Sequence, residues 1–95
     1  MRAAEVCSKA AELVGGDREA QHGDKLENFQ NIAVLWNAWG EVRTGAAYGF
    51  TPVDVGVMMT LMKIARTQTG AFNVDDFIDA CGYLGCAAEC SKSHT

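Results

Sequence analysis

The sequence predicts an all-α fold, a compact bundle of about four helices, and three observations predict it. Apolar residues recur at helical spacing in four separate segments. Asp24, Thr51 and Asn73 each stand where a helix N-cap belongs, directly before one of those segments. A single proline and few residues of strand type leave little from which to build a sheet. With 95 residues, the chain 1–95 makes one domain with one core.

The first helix is expected over about 3–14, with Ala3, Val6, Ala10 and Leu13 on one stripe and Gly15-Gly16 as its stop. A polar connector follows through His22, a candidate acid, base or ligand that more often is simply solvated. The second helix, about 24–39, starts at Asp24 with Glu27 three residues on in a capping-box-like pattern. Its apolar stripe is Phe29, Ile32, Ala33, Trp36 and Trp39, and Gly40 reads as its end. Residues 41–50 then form a glycine-containing loop that carries Arg43 and Tyr48.

Thr51-Pro52-Val53-Asp54 is the clearest start signal, with a threonine cap, proline at the first helical position and an acid in box register. This third helix, about 52–67, carries apolar residues all round its axis and is expected to be central in the fold or shared with a partner chain. Gly56 and Thr60, one turn apart, are suited to close approach by another helix. After a turn around Gly70, Asn73 caps the fourth helix, about 74–90. Phe77, Ile78, Cys81, Leu84 and Ala88 are its expected buried side, and Gly82 and Gly85 suggest close helix contact. The tail 91–95 is polar and expected to fray.

Charge narrows the function classes. A net charge of −4 disfavours a nucleic-acid polymer as partner, since that asks for a basic face. The chain begins in helical pattern without an apolar signal core, and no run reaches the ~18–20 apolar residues of a membrane span, so the expected compartment is the cytoplasm. Cys81, Cys86 and Cys90 fall in one helix among apolar neighbours and read as buried free thiols rather than a zinc site.

Acids on the second and fourth helices invite a magnesium reading, with Glu27 on one and Asp75, Asp76 and Asp79 on the other as hard oxygen donors. Capping explains the placement of Glu27, Asp54 and Asp76, and the positive first turn suits Asp75. Asp79 lies beyond that turn, one turn before Tyr83, and capping does not account for it. Lys63 and Arg66, at i and i+3, share a face at the end of an apolar helix. Ion pairs to Asp76 and Asp79 across the short turn are their first reading, phosphate contact their second. Asn28 and Asn31 lie beside the apolar stripe, placed to read a base edge or to satisfy backbone at a helix crossing.

The strings His22-Gly23-Asp24 with Glu27 to Trp36, Asp54 to Met59 with Lys63 to Arg66, and Asn73 to Tyr83 resemble a family of short bacteriophage and prophage proteins. That family is similar to nucleotide-modification-associated phage domains and, more distantly, to MazG-like all-α nucleotide pyrophosphohydrolases. The resemblance implies a nucleotide ligand and magnesium held by Glu27, Asp76 and Asp79, in the cytoplasm of a phage host. It also shows a departure: where MazG-like enzymes pair a second acid with the first, this chain has Asn28 or Asn31. Fewer carboxylates weaken metal binding and tilt the reading away from catalysis. The expected ligand residues are therefore Asn28, Asn31, Lys63, Arg66, Asp79 and Tyr83, with a homo-oligomer and a host protein as further partners. A non-catalytic sponge for a nucleotide signal, a host-protein binder and a structural helical oligomer are the competing functions.

Overall fold

A computed structural model describes residues 1–16 and 24–91. His22, most of the connector and the tail beyond Ser91 lie outside the described residues. Four helices and no strands are found among those described: α1 (Ala3–Gly15), α2 (Lys25–Thr44), α3 (Pro52–Arg66) and α4 (Val74–Cys90).

The caps form where the sequence places them. Thr51 Oγ1 accepts the Asp54 N–H at 3.2 Å, and Asp54 Oδ2 accepts the Thr51 N–H at 2.9 Å, closing a full capping box. Asp24 and Asn73 each accept an N–H two residues on, from Leu26 and Asp75. Neither uses the third-position register, which leaves the Asp76 carboxylate free for another partner.

The second helix is longer than expected. It does not end at Gly40 but runs on to Thr44, where Gly45, at φ 78°, supplies the left-handed cap and returns its N–H to Glu41. Gly40 is buried for a different reason: a Cβ placed there would lie 2.9 Å from Tyr48 Cγ. The missing side chain is a seat for the tyrosine ring. The loop is fastened again at Asn37, whose amide donates to the Phe50 carbonyl at 3.1 Å and accepts the Phe50 N–H at 2.8 Å.

The architecture is a central antiparallel hairpin, α3–α4, with α1 and α2 laid on one of its faces. Gly56, Thr60 and Lys63 of α3 meet α4, and the approach is closest at Gly56, where an added Cβ would stand 2.6 Å from Ala87 Cβ. Thr60 turns its hydroxyl back to the Gly56 carbonyl at 2.8 Å, so its buried polar group is satisfied. The core consists of Phe29, Ala33, Val55 and Cys86, with Ile32, Trp36, Met59 and Tyr83 packed against it. Gly82 receives Val14 of α1 at 3.2 Å from its notional Cβ, whereas Gly85 meets nothing. The helix that touches every other is α4; α3, expected to be central or shared with a partner, meets α4 and α2 and leaves Val57, Leu61 and Ile64 exposed.

Several residues expected inside are outside. Trp39 is 69% exposed, and Phe77, Leu84, Ala88 and Cys81 are exposed on α4. The reason is common to them: α2 and α4 carry apolar residues on more sides than their neighbours cover. Cys86 is buried and Cys90 half-buried. Burial, reinforced by the Glu89 carboxylate and opposed by Lys25, raises the Cys90 thiol above its ordinary value and keeps it protonated.

Candidate functional site

Four of the sequence-predicted polar residues gather at the turn end of the α3–α4 hairpin. Lys63 and Arg66 occupy the last turn of α3, while Asp76 and Asp79 occupy the first two turns of α4. The hairpin turn is short, so the antiparallel path sets the two pairs side by side. Lys63 Nζ lies 2.9 Å from Asp79 Oδ2, with both side chains largely covered. Arg66 Nε lies 3.3 Å from Asp76 Oδ1. Asp76 is 6% exposed, whereas the Arg66 side chain is mostly in solvent.

Both helix ends favour this arrangement before any contact is counted. Lys63 and Arg66 suit the negative C-terminus of α3 and Asp76 suits the positive first turn of α4, while Asp79 lies beyond that turn. Each carboxylate therefore has a cation of its own. A metal ion at these carboxylates would have to share them with Lys63 and Arg66, which hold Asp79 Oδ2 and Asp76 Oδ1.

The remaining candidates lie elsewhere. Lys25 Nζ pairs with Glu89 at 2.7 Å, which docks the start of α2 against the end of α4. Glu27, two residues along from Lys25, thus stands by the far end of α4, ten residues or roughly 15 Å of helix rise beyond Asp79. Asn28 and Asn31 are exposed on α2. Tyr83 is one turn beyond Asp79 but packs on the core cluster. Among the described residues no group of three or more His, Cys, Asp or Glu is placed to hold a metal ion. No helix among them is long and apolar enough to cross a membrane.

A second surface belongs to the same hairpin. Most residues on the contact line of α3 and α4 are followed by one that stands in solvent: Gly56 by Val57, Thr60 by Leu61, Lys63 by Ile64, Asp76 by Phe77, Tyr83 by Leu84 and Ala87 by Ala88, while Asp79 is followed by the half-buried Ala80. One residue is a rotation of about 100°. Viewing a helix from its other end reverses both the sense of rotation and the contact direction, so in an antiparallel pair these followers all emerge on the same side. The preceding residues mark the opposite side: Val55 and Met59 meet α2, and Gly82 meets α1. Among the described residues the hairpin has one covered face and one apolar face left partly exposed.

Two curated relatives come from phages and carry the name "Gene 55 protein". That of Mycobacterium phage L5 is 40% identical over 80 residues, which is 84% of this chain and 48% of the relative. That of Mycobacterium phage D29 is 35% identical over 81 residues, 85% of this chain and 50% of the relative. The chain spans about half the length of these relatives. No solved structure matches it. Residues 5–91 match the family described as Domain of unknown function (DUF6378), and the chain belongs to that family.

Proposed function

We propose that this chain is a non-catalytic helical interaction module of phage type, which works through protein contacts made by its exposed helix faces. The observation that supports this reading most is the pairing of Lys63 with Asp79 and Arg66 with Asp76. The carboxylates that a MazG-like mechanism would give to magnesium are neutralised by the chain's own cations, and Glu27 stands at the other end of α4. What the fold leaves in solvent is apolar instead: Val57, Leu61, Ile64, Phe77 and Leu84 on the hairpin, and Val34, Leu35, Trp39 and Val42 on α2. Contiguous apolar surface of this kind on a small protein marks contact with another protein.

A nucleotide is the second reading, and one observation favours it. Arg66 engages Asp76 through Nε while its side chain is 58% exposed, so the guanidinium has donors to spare for a phosphate. In that reading Arg66 is the phosphate contact, and Asn28 and Asn31, exposed on α2, and Tyr83, packed on the core, do not join it.

Thermal unfolding with a panel of nucleotides, with and without magnesium, separates the two. The interaction module is expected to show no magnesium-dependent shift. A ligand present at 100 times its dissociation constant stabilises by about 2.7 kcal/mol, which such a melt resolves easily. A magnesium-dependent rise that disappears in Asp79→Asn, each variant compared with its own ligand-free melt, would contradict the module. A metal-independent rise abolished by Arg66→Ala would establish the nucleotide reading instead.

A further inference from the structure

We infer that the partly exposed apolar face of the α3–α4 hairpin is the seat of a second copy of this chain, forming a two-fold dimer in which two hairpins meet face to face. This rests on the interaction-module reading and names the partner of one of its surfaces.

Charge singles out a like partner. The side chains that follow the contact positions are Val57, Leu61, Ile64, Phe77 and Leu84, with the small Cys81 and Ala88 between and beyond them. None is charged. In a two-fold interface residue i meets residue j and j meets i, so a charge near the axis faces its own copy; a stripe without charge carries no such repulsion. Of the hairpin's seven charged residues, Lys63, Arg66, Asp76 and Asp79 pair on the contact line, Asp54 caps α3, Glu89 holds Lys25, and Asp75 precedes a contact residue, on the side away from the stripe.

Area points the same way. The five large side chains are 38 to 56% exposed, and Phe72 extends the patch because its ring lies 5.7 Å from that of Phe77. Their exposed parts come to on the order of 400–500 Å², close to the largest apolar patch that a typical monomer shows. Two such patches with the small residues between them approach the ~1,200 Å² at which specific interfaces begin. Geometry completes the argument. Two antiparallel hairpins laid together make a four-helix arrangement, in which each α3 and α4 gains the second apolar neighbour that α1 and α2 leave out.

The test is the mass of the full chain in solution by analytical ultracentrifugation, with circular dichroism as the check on folding. The native chain is expected at twice its 10.2 kDa mass, and Leu61→Glu at 10.2 kDa with helicity unchanged. Leu61 is more than half exposed, so the glutamate is carried by a folded protomer. Leu35→Glu, on the outer side of α2, is expected to leave the dimer intact. A native monomer at micromolar concentration overturns the dimer, and so does a dimer lost in Leu35→Glu but kept in Leu61→Glu. A monomer that still binds another protein through Leu61 and Phe77 overturns the dimer while leaving the interaction-module reading standing.

Discussion

Gly56→Leu is expected to lower the unfolding free energy by about 2–4 kcal/mol, since overpacking a tight contact costs about 1–3 kcal/mol and four extra carbons have nowhere to go. The obstacle is backbone as well as side chain. A Cβ at Gly56 would stand 2.6 Å from Ala87 Cβ, 3.0 Å from Ala87 Cα and 3.1 Å from a Phe29 ring carbon. A leucine rotamer cannot relieve contact with a neighbouring Cα, so α3 and α4 must part along their whole line. Parting would also draw Lys63 from Asp79. Gly56→Ala sets the same clash against the roughly 1 kcal/mol that alanine gains over glycine inside a helix. It should be neutral or destabilising. Gly85→Ala is the control, for it meets nothing and should stabilise by about 0.5–1 kcal/mol. Urea unfolding of the three variants reads the contrast; equal stabilisation by both alanines would show that the helices do not touch at Gly56.

The second large effect is at the ion pair. Lys63→Met is expected to destabilise by about 1–3 kcal/mol, below the 3–5 kcal/mol of a fully buried broken pair, because water still reaches part of both groups. The side chains are 12% and 23% exposed, which leaves Asp79 with a carboxylate that is mostly desolvated once its cation is gone. Lys63→Met/Asp79→Leu removes both charges and should recover most of the loss. A double-mutant cycle in urea should therefore give a coupling of about 1–2 kcal/mol. A coupling near zero would mean that the two groups do not pair in solution.

How much of this was legible in the sequence depends on whether the deciding contact was local. The caps at Asp24, Thr51 and Asn73 are local, and so is the crossing of a seven-residue turn that puts Lys63 and Arg66 opposite Asp79 and Asp76. Gly40 was misread because a glycine at the end of an apolar stripe looks the same whether it stops a helix or seats a ring; only Tyr48, folded back from the loop, tells them apart. Trp39, Phe77 and Leu84 were expected inside because helical spacing identifies an apolar stripe but not which of two stripes finds a neighbour. The place of Glu27 was hidden for the same reason. Which end of α4 receives the start of α2 is settled by Lys25 and Glu89, far apart in the chain. Asn37, which fastens the loop at Phe50, carried no signal beyond being a polar residue in mid-helix.

The central claim is that Asp76 and Asp79 serve the fold by holding Arg66 and Lys63, and the carboxylate carbon resonances of the two aspartates report on it directly. Titrated with magnesium at constant ionic strength, both are expected to stay where they are. Saturable movement of the two resonances together, absent in Asp79→Asn, would contradict the account and return the hairpin end to the role of a metal site.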